Sequence, residues 1–135
     1  METAAMRRRV LVVEDDPEFR SILASVMQWE GYPVLTAEDG DAALDLLRTN
    51  DDPLVVTLDL RMRRYGGLAV LEAVAADDAL AQRHAIILAT GAMDIATNTR
   101  VRALCDQLRI PVIWKPFDLR ELLDAVAAAQ QRLAG

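Results

Sequence analysis

Short apolar runs alternate with amphipathic stretches through most of this 135-residue chain. The run from Val10 to Val13 is apolar at every position, as is typical of a strand buried on both faces of a parallel sheet. Further short runs begin at Val34, Leu54, Ala85 and Ile110. Between the runs, apolar residues recur every three or four positions, which predicts helices. The alternation therefore predicts an α/β fold in which a five-stranded parallel sheet is covered by five helices.

Capping residues and prolines mark the ends of several elements. Asp16 precedes Pro17 at the start of the first predicted helix, as an N-cap does. The apolar positions of that helix are Phe19, Ile22, Leu23 and Val26. Asp118 caps the last predicted helix, whose apolar positions begin at Leu119 and end at Leu133. A fourth helix is predicted from Asp94 to Leu108, and Pro111 in the fifth strand favours an edge position.

The composition fits one globular domain, residues 1–135, and excludes several functional classes. The chain is 53% hydrophobic, which is enough apolar side chain for a substantial core. A formal net charge of -6 disfavours direct binding to nucleic acid phosphates. The single cysteine, Cys105, cannot form an internal disulfide, and we interpret it as a buried apolar residue. No apolar segment approaches the roughly 20 residues that cross a membrane, so we expect a cytoplasmic protein without membrane contact.

Polar side chains follow four of the five predicted strands. They are Glu14, Asp15 and Asp16 after the first strand, Asp59 after the third, Thr90 after the fourth and Lys115 after the fifth. In a doubly wound sheet the carboxyl ends of parallel strands share one edge, where ligands bind. Carboxylates gathered there repel one another unless a cation neutralises them, and Mg²⁺ prefers oxygen ligands. Because Asp16 is assigned to the helix cap, the expected acidic set is Glu14, Asp15 and Asp59.

Lys115 is the one lysine among fifteen basic residues. Its compact ammonium can pair with a carboxylate or with an added phosphoryl group, but it cannot bind a metal while protonated. The combination of acids and lysine at one sheet edge is suited to phosphoryl transfer onto a carboxylate. His84 is the single histidine and has no plausible histidine or cysteine partner for metal binding, so we interpret it as structural.

Four motifs resemble the receiver domain of two-component response regulators. They are Val12-Val13-Glu14-Asp15-Asp16, Leu58-Asp59-Leu60-Arg61-Met62, Ala89-Thr90-Gly91 and Trp114-Lys115-Pro116-Phe117. Their order and spacing match the family over about residues 8–134. The resemblance implies a flavodoxin-like, doubly wound (βα)5 fold with strand order 2-1-3-4-5. It further implies a chemotaxis-type single-domain regulator without an output domain, unless the chain is part of a longer regulator.

The resemblance also implies a role for each site residue. Asp59 is the phosphoryl acceptor, and Mg²⁺ is held by Glu14, Asp15, Asp59 and the backbone carbonyl of Arg61. Thr90 and Lys115 contact the phosphoryl group, and the peptide bond between Lys115 and Pro116 is cis. Such a domain is a signalling switch rather than a conventional enzyme, although it catalyses its own phosphorylation and slow dephosphorylation.

The implied partners are of two kinds. The phosphodonor is a sensor histidine kinase or a histidine phosphotransfer protein. The phosphorylated domain docks a downstream protein that the sequence does not identify, or forms a homodimer through the fourth helix and fifth strand.

Three positions depart from the family pattern. Arg63 stands where proline is usual, Gly66 where aspartate is common, and Val112 where many members carry an aromatic residue three positions before the lysine. Trp114 lies two positions after Val112. These departures leave open a pseudo-receiver that binds partners without phosphorylation. A hydrolase of the haloacid-dehalogenase kind is disfavoured, because Arg61 occupies the position where that class needs an acid.

Overall fold

The computed structural model describes residues 7–62, 65–91 and 98–134, which form five strands and six helices. The strands are β1 (Val10–Val13), β2 (Val34–Ala37), β3 (Val55–Asp59), β4 (Ala85–Gly91) and β5 (Val112–Lys115). The helices are α1 (Pro17–Trp29), α2 (Gly40–Thr49), α3 (Gly67–Ala75), α4 (Asp78–Arg83), α5 (Thr99–Leu108) and α6 (Leu119–Ala134). Each strand alternates with helical segments, as the apolar pattern predicts.

All five strands are parallel, in the order β2-β1-β3-β4-β5. This order confirms the predicted flavodoxin-like α/β fold. The chain runs outward from β1 to β2 and then crosses to β3 on the other side, so strand order reverses between β1 and β3. Ligands of such sheets bind outside the carboxyl ends of the strands at this reversal. The edge position of β5 agrees with the proline that precedes it.

The sheet carries a separate apolar core on each face. Alternate residues such as Val12, Val55 and Ile87 pack with α1 and α6. Their neighbours, such as Val13 and Leu58, pack on the opposite face with α2 to α5. Because side chains alternate along a strand, two consecutive polar residues at a strand end point to opposite faces.

The helices differ from the sequence expectation in two places. The connection between β3 and β4 contains α4 in addition to α3, and Asp77 caps it by accepting hydrogen bonds from the backbone N–H groups of Ala79 and Leu80. The predicted fourth helix is α5, whose described part begins at Thr99, while residues 94–97 lie outside the described residues. Neither difference changes the order of the strands.

Two of the apolar positions of the predicted helices are exposed. Ile22 is 54% exposed, because α1 contacts the sheet through Leu23 and Met27. Leu119 is also exposed at the first turn of α6. Cys105 is buried with a free thiol, as predicted, and burial raises its pKa. Within the described ranges no helix is both long and apolar enough to cross a membrane.

Candidate functional site

Three carboxylates meet at the carboxyl ends of β1 and β3. The register pairs Val13 with Leu58, so the next residues along the two strands, Glu14 and Asp59, lie side by side. Asp15 completes the group, and one carboxylate oxygen from each residue lies within 4.8 Å of the other two. The structure thus brings together the three acids that the strand-end pattern selects.

Asp16 has a different task. Its side chain accepts hydrogen bonds from the backbone N–H groups of Glu18 at 3.0 Å and Phe19 at 3.3 Å, which caps α1. Its own backbone N–H donates to Oε2 of Glu14 at 3.2 Å. The cap therefore removes Asp16 from the acidic cluster while its backbone helps to orient Glu14.

Lys115 reaches the cluster from the end of β5. Its Nζ lies 3.3 Å from Oδ1 of Asp59 and 3.9 Å from Oε1 of Glu14. The same ammonium lies 5.5 Å from the centroid of the Phe19 ring, within the range of a cation–π contact. The Lys115–Pro116 peptide bond is cis, as the resemblance implies. Lys115 thus places a positive charge beside two of the three acids, Asp59 and Glu14.

One ammonium does not offset the cost of holding these acids together. Burial raises the pKa of Asp59, and the charge of Asp15 adds to that effect, although Lys115 and the Arg61 N–H oppose it. Burial likewise raises the pKa of Glu14, with Asp59 contributing further. For Glu14 and Asp59 the effect of burial outweighs the attraction of Lys115, and all three acids of the cluster offer oxygen ligands. A hard divalent cation such as Mg²⁺ fits this donor set.

The backbone after β3 is packed closely against Asp59. The Arg61 N–H donates to Oδ1 of Asp59 at 3.4 Å, and the Gly67 N–H donates to the Leu60 carbonyl at 3.0 Å. A Cβ at position 67 would lie only 2.7 Å from the Asp59 carbonyl oxygen, so this close approach requires glycine. Gly67 is not among the residues that the strand-end pattern selects, and its signal in the sequence is the Gly66-Gly67 pair. Arg63 lies outside the described residues, and Gly66 precedes α3 without a side-chain cap.

Thr90 and Trp114 lie on the other face of the sheet from Glu14 and Asp59. Asp59 pairs with Ala89, and Thr90 is one residue further along β4, so its buried side chain faces the α5 side. The register pairs Thr90 with Trp114 across β4 and β5, whereas Val112 pairs with Leu88. Trp114, which is 46% exposed, is therefore the aromatic residue beside Thr90.

Comparisons with known proteins agree with this geometry. Residues 10–127 match the model of the response regulator receiver domain. The chain is 38% identical over 125 residues to response regulator MprA of Mycolicibacterium vanbaalenii, covering 92% of this chain and 51% of that protein. It is 32% identical over 127 residues to the transcriptional regulatory protein CpxR of Escherichia coli, covering 92% and 50%. The chain thus spans about half the length of these curated relatives.

Solved structures extend the likeness to three dimensions. One is the response regulator TrrA of Thermotoga maritima in complex with Mg²⁺ and BeF, at 29% identity and a TM-score of 0.72, covering 90% of this chain and 98% of that one. Another is a CheY-like receiver domain from Methanospirillum hungatei, at 25% identity and a TM-score of 0.79, covering 93% and 96%. The chain belongs to the response regulator receiver domains, a family of phosphoryl-accepting signalling domains.

Proposed function

We propose that this chain is a Mg²⁺-dependent phosphorylation switch in which Asp59 accepts the phosphoryl group. The observation that carries the proposal is the meeting of Asp59 with Glu14, Asp15 and Lys115 at one sheet edge. This arrangement offers a carboxylate nucleophile, oxygen ligands for a cation, and an ammonium for a phosphoryl oxygen. Those are the components that phosphoryl transfer needs.

The cation would be held by Asp15, Asp59, the Arg61 carbonyl and Glu14, the last directly or through water. When bound, Mg²⁺ neutralises charge on the transferring oxygens. A carboxylate oxygen of Asp59 attacks the phosphorus of a phosphohistidine or a small phosphodonor. The bond from phosphorus to the donor breaks, and its electron pair leaves with the donor. The Lys115 ammonium, now 3.3 Å from Asp59, then pairs with a phosphoryl oxygen.

The response to phosphorylation would pass through Thr90 to the β5 edge. A phosphoryl group supplies acceptor oxygens that attract the Thr90 hydroxyl. Thr90 pairs with Trp114, so a movement of Thr90 would change the exposed face formed by α5 and β5. A hydrogen bond to a charged group contributes about 1.5–3 kcal/mol, whereas a full switch needs about 5.5 kcal/mol. Partner binding therefore completes the shift.

The proposed partners follow from this scheme. A sensor histidine kinase or a histidine phosphotransfer protein supplies the phosphoryl group in the cytoplasm. The face formed by α5 and β5 then receives a downstream protein or a second copy of the chain. Action as a single domain without an output domain stays a prediction from the sequence.

The test is phosphoryl uptake by the intact chain. The protein is incubated with Mg²⁺ and either acetyl phosphate or phosphoramidate, and its intact mass is measured. We expect a labile addition of one phosphoryl group that is absent in Asp59→Asn. Asp16→Asn is the matched control, because Asp16 caps α1 outside the cluster, and it should still accept the group. Absence of uptake in the native chain with every donor would favour the pseudo-receiver.

A further inference from the structure

Thr57 is a polar side chain in an otherwise apolar part of the sheet. It is only 4% exposed, and its Oγ1 is buried without a hydrogen-bond partner among the described residues. Its neighbours across β1 and β4 are Val12 and Ile87, which belong to the apolar core beneath α1 and α6. Burying a hydroxyl without a partner is unfavourable, so this group calls for an explanation.

The strand geometry places Thr57 directly below the phosphoacceptor. Residues two apart on a strand point to the same face and lie about 6.6 Å apart, so Thr57 and Asp59 are successive side chains on the α1 and α6 face. In the unphosphorylated structure Oδ1 of Asp59 is engaged by Lys115 and by the Arg61 N–H. The Thr57 hydroxyl is thus on the neighbouring side chain of the same sheet face as the Asp59 carboxylate.

We propose that Thr57 is a positioning residue that acts through Asp59 and speeds the loss of the phosphoryl group. This inference rests on the proposed phosphorylation of Asp59. Once Lys115 pairs with the phosphoryl group, the acyl oxygen of Asp59 loses the ammonium. The Thr57 hydroxyl then donates a hydrogen bond to that oxygen and gains the acceptor that it lacks in the unphosphorylated state.

The chemistry of hydrolysis sets the direction of the effect. Water oxygen forms a bond to phosphorus, the bond from phosphorus to the Asp59 oxygen breaks, and its electron pair remains on the carboxylate. A water proton goes to solvent, and inorganic phosphate leaves. Negative charge on the Asp59 oxygens grows during this step. A hydrogen-bond donor there stabilises the transition state more than the acyl phosphate, so it accelerates dephosphorylation.

The experiment compares phosphoaspartate lifetimes in the full chain. The protein is phosphorylated with acetyl phosphate and Mg²⁺, freed of donor, and followed by intact mass. Thr57→Val keeps the shape of the side chain without the hydroxyl, and its phosphoaspartate should live about two- to tenfold longer. Thr57→Ser keeps the hydroxyl and should decay at nearly the native rate. Ile87→Val removes a methylene from the neighbouring core position and should leave the lifetime unchanged.

Melting temperature supplies the second measurement. Thr57→Val should be at least as stable as the native chain without Mg²⁺, because it removes a buried hydroxyl that has no partner. An unchanged or shorter lifetime in phosphorylated Thr57→Val would overturn the inference and leave the proposed function standing. An equal lengthening in Ile87→Val would overturn it too, because it would assign the effect to core packing. Failure of the native chain to take up phosphoryl would instead overturn the proposed function and this inference with it.

Discussion

Asp59 and His84 are both buried titratable residues, but they lie at opposite ends of the sheet and are held in opposite ways. Nδ1 of His84 accepts a hydrogen bond from the Leu54 N–H at 3.0 Å, and Nε2 donates to the Leu47 carbonyl at 2.9 Å. This pair of contacts fixes a neutral imidazole. Asp59 contacts the Lys115 ammonium and lies in a cluster with two other acids.

The contrast separates stability from function. The partners of His84 are backbone groups at the end of α2 and just before β3, so the ring links three segments through contacts within the protein. The pKa of Asp59 is raised, because the effect of burial is larger than the opposing effects of Lys115 and the Arg61 N–H. The contacts of His84 at the amino end are made within the protein, whereas the acidic cluster at the carboxyl end would be stabilised by a bound cation.

The largest expected effect is at the amino end. His84→Ala leaves the Leu54 N–H and the Leu47 carbonyl without partners, and it opens a cavity. We expect a loss of about 3 kcal/mol in the free energy of unfolding, measured by urea denaturation. His84→Gln offers one acceptor and one donor in the same region, so it should lose less. If His84→Ala has the same free energy of unfolding as the native chain, the hydrogen bonds of the ring do not stabilise these segments.

The next effect separates two adjacent acids. Asp15→Asn removes a carboxylate from the cluster and should weaken Mg²⁺ affinity about tenfold or more, measured by calorimetric titration. Asp16→Ala should leave Mg²⁺ affinity nearly native but cost about 1 kcal/mol of stability through the lost helix cap. Equal loss of affinity in both variants would contradict the division of roles between Asp15 and Asp16.

The sequence predicts the parts of this site that depend on strand ends. Buried strands read as continuous apolar runs, so the residues after them, Asp59 and Lys115 included, are identifiable without coordinates. Helix α4 is not identifiable from the sequence, because six residues are too few to show a helical period. The spacing of Ile22 fits the helical period, yet the buried stripe of α1 runs through Leu23 and Met27.

The sequence does not predict which residues lie side by side on neighbouring strands. The pairing of Thr90 with Trp114 depends on the register of β4 and β5, which a strand pattern does not determine. Thr57 reads as an ordinary strand residue, since threonine is common in sheets. Its buried, unpartnered hydroxyl appears only when the neighbouring strands and helices are in place.

A smaller effect, on the melting temperature, is expected from removing the negative charge of Asp59. Because the environment of Asp59 disfavours its ionised form, Asp59→Asn should raise the melting temperature of the metal-free chain by a few degrees. Mg²⁺ should raise the melting temperature of this variant less than that of the native chain. The difference in melting temperature between the two proteins should therefore narrow when the cation is added. Asp51→Asn, at an exposed position outside the cluster, is the matched control and should leave both temperatures near native. A lower melting temperature for metal-free Asp59→Asn would contradict the reading of the acidic cluster as destabilising.

The smallest effect is a pH dependence carried by His84. Burial lowers the pKa of this imidazole below its ordinary value of 6.5. As pH falls below 6.5, the unfolded chain takes up a proton that the folded ring resists. The stability that the neutral ring contributes is complete above that pH and declines below it, with a slope of at most about 1.4 kcal/mol per pH unit. Glu14 and Asp59, with raised pKa values, oppose this trend.

The test compares the unfolding free energies of the native chain and His84→Gln. They are measured by urea denaturation from neutral to mildly acid pH without Mg²⁺. The comparison isolates the imidazole, because the carboxyl contributions are common to both proteins. The difference between the two should shrink as pH falls, and a constant difference would show that His84 is free to protonate in the folded state.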